Sequence, residues 1–294
     1  MPEVTLASGR IRYRDRGSGS PIVFVHGLFV NGSLWHKVSD SLEANFRCVC
    51  PDWPMGAHTL PMTAEADVSP LGVARMIGEF LEVLDLRDVT LVANDTGGAV
   101  TQLLLAEGCD RVSRLVMTPS DSFENFPPRG FRPLQYIARV PGGLTVGLQV
   151  LRARPFHRLP MAFGWLAKDP LPAETTSAWL RPFLSTRGIR RDARRFVRAF
   201  DNIDTLAAAD RLSAFDKPVL LLWAPEDRFF PISHAHRWME IFPDARLVEV
   251  PDSYTFVALD QPELVVDEIA RFLGSPIHGG QGRSGVGPPP PPRR

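Results

Sequence analysis

The stretch LVANDTGGA, residues 91–99, decides how this chain folds. An apolar strand pattern ends at Asp95, and after one further residue two glycines lead directly into a helical pattern. A side chain on such a sharp strand-to-helix turn is pushed out at the carboxyl edge of a sheet, and small neighbours are needed because the backbone there is crowded. The stretch therefore predicts a nucleophile elbow with Asp95 in the place where serine is more familiar. The alternative is that Asp95 serves only as the N-cap of the helix, a position that aspartate favours.

Strand and helix patterns alternate on both sides of this elbow. Short apolar runs such as PIVFV (21–25) and VLLLW (219–223) are typical of strands buried on both faces of a parallel sheet. Residues 70–84 carry apolar side chains at helical spacing. This alternation predicts an α/β fold, with a mostly parallel sheet covered by helices, over residues 1–120 and 210–274.

The alternation is interrupted by residues 121–209, which we call the cap. This region has no convincing strand pattern and holds several Pro and Gly breakers between helical patterns, so we expect an inserted helical cap. One of its helices carries six arginines at helical spacing: Arg187, Arg190, Arg191, Arg194, Arg195 and Arg198. We expect this arginine face to be solvated; the sharper hypothesis is that it meets an anionic substrate or an acidic partner.

Composition excludes several classes of protein. Lys plus Arg and Asp plus Glu both number 33, so overall charge does not favour a nucleic-acid partner. No apolar run approaches the ~18–20 residues that span a bilayer, and no signal peptide is visible. Three cysteines are too few for a disulfide framework or a metal knuckle. We expect a cytoplasmic protein with no metal, no cofactor and no membrane partner, and a disordered Gly/Pro-rich tail at 275–294.

Two further patterns fit around the elbow. His26, Gly27 and Leu28 follow the PIVFV strand, and the backbone N–H groups of Leu28 and Thr96 together would form an oxyanion hole. Asp227 follows the VLLLW strand, where an acid that orients a catalytic histidine is expected. A loop-capping role for Asp227 is the alternative.

With these residues in place, the chain resembles the α/β-hydrolase superfamily, and within it the aspartate-nucleophile branch of haloalkane dehalogenases and epoxide hydrolases. The HG loop, the NDTGG elbow, the WAPED strand end and the DQPE helix start occur in order and at fitting intervals over residues 1–274. The resemblance implies a small-molecule substrate. It also implies that Asp95 attacks carbon to form an ester, which a histidine-activated water then cleaves.

The histidine that the resemblance implies is missing. Family spacing puts it at Thr255, and a threonine hydroxyl is not a general base near neutral pH. His58 and His157 are candidate replacement bases. Asp121, at the end of the strand pattern RLVM, is an alternative acid to Asp227.

Other departures from the family pattern concern the leaving group. Thr96 and Leu28 stand where the dehalogenase-like branch holds its halide, and Thr96 replaces a tryptophan. The cap holds a single tyrosine, Tyr136, where epoxide hydrolases use two. Both halide release and epoxide opening are therefore weakened as interpretations.

The leading hypothesis is an enzyme that acts on a small or medium organic molecule through Asp95. Without the histidine, hydrolysis depends on a substitute base, or Asp95 transfers protons in a lyase-, cyclase- or isomerase-type reaction. The alternative is a catalytically inactive, ligand-binding member of the same fold.

Overall fold

The structure is a computed structural model that describes residues 1–274. The predicted tail at 275–294 lies outside the described residues. A single eight-stranded sheet has the order β1-β2-β4-β3-β5-β6-β7-β8. The strands are β1 (Glu3–Leu6), β2 (Gly9–Arg16), β3 (Pro21–Val25), β4 (Arg47–Pro51), β5 (Val89–Asp95), β6 (Val112–Ser120), β7 (Val219–Trp223) and β8 (Ala245–Glu249).

The predicted mostly parallel sheet is confirmed. From β4 through β3, β5, β6 and β7 to β8, every neighbouring pair is parallel. The hairpin β1–β2 joins one edge in antiparallel pairing, and its first strand had no apolar run to mark it. Because parallel strands end at the same edge of a sheet, the residues that follow β3, β5, β6, β7 and β8 all meet at one edge.

Helices cover the sheet and fill the interval between β6 and β7. They are α1 (His36–Leu42), α2 (Pro70–Val83), α3 (Thr96–Glu107), α4 (Arg132–Arg139), α5 (Gly143–Gly147), α6 (Ala173–Ser185), α7 (Arg187–Arg198), α8 (Asn202–Leu212), α9 (Ile232–Ile241), α10 (Val257–Asp260) and α11 (Pro262–Phe272). No helix among residues 1–274 combines the length and the apolarity needed to cross a bilayer.

The cap is helical, as predicted, and contains no strand within its described residues 121–209. Between α5 and α6 the chain forms short turns of 3₁₀- and π-helix over 148–164. The expected end of the cap at residue 209 falls inside α8, which packs against the core helix α3.

The expectation of a solvated arginine face is wrong for most of its members. Arg191 donates to the carbonyls of Met62 and Thr63, and Arg195 donates to that of Ala64 at 2.9 Å. Arg194 donates in the same way to Ala138 at 2.9 Å.

Arg190 contacts two further carbonyls at 3.3 Å, while Arg187 and Arg198 are exposed. The reason is local: carbonyls in the loop 62–64 and in the last turns of α4 and α6 lack backbone partners, and a guanidinium offers five donors to satisfy them. Helix α7 is thereby hydrogen-bonded to the core loop 62–64.

Candidate active site

Asp95 lies at the end of the central strand β5, and α3 begins at the next residue. Its backbone has φ 55° and ψ −135°, a conformation that L-residues rarely adopt. Such strain persists only where the surrounding structure enforces it, and it is the geometry predicted for a nucleophile elbow.

Three glycines make room for this turn. A Cβ atom at Gly27 would overlap the carboxyl group of Asp95, and one at Gly97 would overlap the carbonyl of His26. A Cβ atom at Gly98 would overlap the side chain of Ser120 at the end of β6. The two glycines after the elbow are therefore explained by packing against β3 and β6, and Gly27 by its approach to Asp95 itself.

The two carboxyl oxygens of Asp95 have different surroundings. Oδ1 accepts the Thr96 N–H at 2.6 Å and lies 3.1 Å from the Thr96 hydroxyl. Oδ2 makes no hydrogen bond with any residue of 1–274. Burial raises the pKa of Asp95 to about 6, so that at neutral pH the group is mainly a carboxylate with one fixed oxygen and one free oxygen.

Asp121 lies beside this carboxylate and is joined to it through Thr96. The Thr96 hydroxyl is 3.0 Å from Asp121 Oδ2, while Asp121 Oδ1 is buried without a partner among the described residues. A hydroxyl has one hydrogen and cannot donate to two carboxylates at once. One carboxyl group of the pair must therefore carry a proton for both contacts to be hydrogen bonds.

Burial favours Asp121 as the member of the pair that holds the proton. Complete burial, together with the nearby negative charge of Asp95, raises the pKa of Asp121 well above its ordinary range. Two carboxyl groups in such contact do not both ionise, and the one with the higher pKa stays neutral.

Asp227 and Thr255 form a second polar group at the ends of β7 and β8. Asp227 Oδ1 accepts the N–H groups of Phe229 and Phe230 at 2.7 and 2.6 Å. Its Oδ2 accepts the Thr255 hydroxyl at 2.8 Å, and burial raises the pKa of Asp227 to about 6. The structure thus brings the hydroxyl of Thr255, the position where family spacing places the histidine, into contact with Asp227.

Asn94, the residue before the elbow, connects the Asp95 site with the loop that carries Thr255. Its amide nitrogen lies 2.7 Å from the Thr255 carbonyl and 2.7 Å from the Thr118 hydroxyl. The buried side chain therefore joins the end of β5 to the end of β6 and to the loop after β8. The sequence analysis does not identify Asn94 as a site residue. Its position directly before the elbow is the signal in the sequence that could have done so.

The structure does not bring the two candidate replacement bases to Asp95. His58 lies 3.4 Å from the buried Asp192 of the cap through Nε2. His157 contacts the Thr176 hydroxyl at 2.7 Å and the Leu151 carbonyl at 2.8 Å. Both imidazoles are buried in contacts that join structural elements, and no histidine among residues 1–274 lines the cavity at Asp95.

The two residues predicted to form an oxyanion hole both lie beside Asp95 or its cavity. Thr96 N–H already donates to Asp95 Oδ1, and Leu28 lies on the cavity wall. His26 is structural: its Nε2 accepts the Trp53 N–H at 2.8 Å, and burial lowers its pKa to about 3.

A cavity of about 370 Å³ opens above the elbow, between the core and the cap. Its polar wall consists of Asp95, Thr96 and Asp121, and the rest is overwhelmingly apolar. The cap supplies most of the apolar wall, including Phe131, Leu134, Ile137, Leu148, Met161, Phe163 and Leu166. Such a cavity suits a small or medium apolar molecule with one polar reacting group. No cluster of three or more metal-ligating side chains is found within residues 1–274.

Comparisons with known proteins agree with this architecture. A family model described as the alpha/beta hydrolase family matches residues 22–268. Haloalkane dehalogenase 2 of Mycobacterium tuberculosis is 28% identical over 272 residues, which cover 90% of this chain and 92% of that protein.

Two further proteins are similar over most of their length. Cis-3-alkyl-4-alkyloxetan-2-one decarboxylase of Shewanella oneidensis is 23% identical over 276 residues, or 90% of this chain and 85% of that protein. The structure of an epoxide hydrolase without ligand superimposes with a TM-score of 0.76 at 20% identity, covering 93% of this chain and 98% of that one.

The elbow, the sheet order and the family match lead to one conclusion. This chain belongs to the alpha/beta hydrolase family and is a hydrolase-like enzyme related to haloalkane dehalogenases.

Proposed function

We propose that this enzyme attacks a small apolar electrophile with Asp95, forms a covalent ester and releases that ester slowly. One observation carries the proposal: a partly buried carboxylate has one oxygen fixed by the Thr96 N–H and the other free, beside an apolar cavity. A positioned nucleophile of this kind needs no further activation once it is ionised.

Asp121 supplies the proton in this proposal. As Asp95 Oδ2 bonds to carbon, the bond from carbon to the leaving group breaks, and a leaving oxygen takes its proton from Asp121. The carboxylate charge then passes from Asp95, which becomes a neutral ester, to Asp121. The pair holds one negative charge before and after the step, so the buried site gains no net charge.

This proton favours an oxygen leaving group over a halide. Leu28 has an apolar side chain, and the Thr96 hydroxyl is engaged with two carboxyl groups, so neither offers a free side-chain donor to a halide ion. The decarboxylase relative is named for an oxetan-2-one, a strained ring that contains oxygen. We therefore propose strained cyclic oxygen compounds as the first class of substrate to test.

Release of the ester is the slow step. Thr255 cannot deprotonate water, and Asp227 has no imidazole to orient. Asp121, whose pKa burial raises well above its ordinary range, takes up a proton again after the attack and is then no longer a base. Loss of a general base costs ~10²–10⁴-fold in rate. The ester at Asp95 should consequently accumulate instead of turning over rapidly.

The test is covalent labelling of the full-length chain. Epoxyhexane and bromohexane are incubated separately with the protein, and intact-mass spectrometry measures the mass that is added. We expect one equivalent of adduct, placed on Asp95 by peptide mapping and absent from Asp95→Ala. Tight binding of apolar ligands with no adduct from either probe would overturn the proposal in favour of a ligand-binding protein without catalysis.

A further inference from the structure

The outer surface of the cap over residues 129–165, called here the cap surface, is unusually apolar for an exposed region. Nine of the thirteen exposed large apolar side chains within residues 1–274 lie in this segment, including Tyr136, Val146 and Phe156. Val146 is 73% exposed and Tyr136 is 62% exposed. Exposed apolar side chains that occur singly need no explanation, but a concentration of this kind marks a binding surface.

The parts of the cap surface lie side by side. The side chain of Ile137 on α4 lies within 3.7 Å of where a Cβ atom at Gly147 would be, beside the end of α5. The side chain of Met161 lies in the same way against Gly130. The short helical segments are therefore packed on one another along the outside of the cap.

The charge of the cap surface is entirely of one sign. Residues 129–165 contain six arginines and no aspartate or glutamate: Arg129, Arg132, Arg139, Arg152, Arg154 and Arg158. All six are exposed, in contrast to most of the arginines on α7. A surface that mixes exposed apolar side chains with arginine alone is complementary to the interface of an anionic bilayer.

The cap surface also borders the mouth of the cavity. Ile137 and Met161 both line the cavity and are 38% and 42% exposed, so the cavity wall continues onto the outside at these residues. An apolar molecule dissolved in a bilayer would reach Asp95 through this mouth without crossing water.

We propose that the cap surface docks on an anionic lipid bilayer, from which an apolar substrate enters the cavity. The expectation of no membrane partner rested on the lack of a spanning segment, and docking requires none. A second copy of the chain is disfavoured as the occupant, since apposed cap surfaces would bring arginines together. The chain's own residues 275–294 hold three arginines and no acid, so their charge is not complementary either.

The experiment is co-sedimentation of the full-length protein with lipid vesicles. One set is phosphatidylcholine alone, and the other is equal parts of phosphatidylcholine and phosphatidylglycerol. We expect binding to the anionic vesicles that weakens as salt is raised, and little binding to the neutral ones. Each arginine near an anionic surface contributes about 1 kcal/mol, so the double variant Arg154→Gln/Arg158→Gln should bind about tenfold more weakly or worse.

Two further variants complete the test. Tyr136→Ser/Val146→Ser should also weaken vesicle binding about tenfold, because it removes apolar contact. The matched control Arg75→Gln/Arg87→Gln removes two exposed arginines outside the cap and should bind as the wild type does. Thermal melting checks that each variant is folded.

Three results would overturn the proposal. The first is no binding to anionic vesicles, and the second is binding that is unchanged in both cap variants. The third is that the protein does not bind vesicles and instead either binds an acidic polypeptide such as polyglutamate or forms a dimer that the cap variants abolish.

Discussion

The elbow at Asp95 and the loop that carries Thr255 lie at the same edge of the sheet but differ in the polar groups that they hold. The elbow keeps a strained backbone, a glycine that makes room for the carboxyl group and an N–H on its Oδ1. The Thr255 loop, after β8, offers only a hydroxyl, which donates at 2.8 Å to Asp227 after β7.

In the function proposed above, attack and release therefore depend on separate parts of the fold. The Thr255 hydroxyl gives Asp227 Oδ2 a hydrogen-bond donor, so the missing imidazole leaves no unsatisfied buried oxygen on that acid. Folding therefore does not require a histidine at this position. Under the proposed function, the absence of the base affects only the release of the ester, because the elbow at Asp95 is intact.

The largest effect is expected at Gly27, which makes room for the elbow. Gly27→Ala places a methyl group in the space of the Asp95 carboxyl group, so labelling by either probe should be lost. Overpacking of this kind should also lower the free energy of unfolding by about 1–3 kcal/mol. Labelling and thermal melting are measured together.

The control for this change is Gly78→Ala on α2. A Cβ atom there would meet only Leu104 Cδ1 at 3.4 Å, and alanine favours a helix by about 1 kcal/mol over glycine. Labelling should be unchanged and stability equal or higher. Normal labelling of Gly27→Ala would mean that the carboxyl group does not occupy this position during attack.

A smaller effect should separate the two kinds of probe. Asp121→Asn keeps the size and neutrality of the side chain but removes its acidic proton. Labelling by epoxyhexane should slow by about 10²-fold, while labelling by bromohexane, which needs no proton, should stay within about twofold of wild type. Equal slowing of both probes would show that Asp121 positions Asp95 and donates no proton to the leaving group.

The smallest effect is the dependence of labelling on pH. Burial raises the pKa of Asp95 to about 6, and the protonated carboxyl group is not a nucleophile. The rate of labelling by bromohexane should therefore rise with pH through about 6 and level off above it, with about a tenfold loss roughly one unit below the pKa. A rate that does not change across this range would place the attacking group elsewhere.

The sequence predicted the features that depend on local backbone and on position along the chain. Asp95 was identifiable because an apolar strand, one polar residue and two glycines occur within a few positions. Asp227 is placed by its position after the VLLLW strand and Thr255 by the spacing of the family that the chain resembles, and the structure brings them together at 2.8 Å.

Contacts between distant segments could not be predicted in this way. The contact of the Thr96 hydroxyl with Asp121 depends on the register between β5 and β6, which pairs Asp95 with Ser120. The arginines of α7 were expected in solvent because periodicity defines the two faces of a helix, but not what covers each face. Arg191 and Arg195 are covered by the core loop 62–64.

The ester at Asp95 is expected to form but to lack a base for its release, and the rate of loss of the adduct tests this most directly. Wild type, Thr255→His and the control Thr255→Ser are labelled with epoxyhexane, freed of excess probe and followed by intact-mass spectrometry. We expect a persistent adduct in the wild type and in Thr255→Ser, which keeps a hydroxyl on Asp227. Thr255→His should release the adduct faster, by up to ~10²–10⁴-fold where the imidazole is well placed, and by less where it lies ~1 Å away from its best position. Rapid release by the wild type would contradict the account, and loss of that release in Asp121→Asn would assign the base to Asp121.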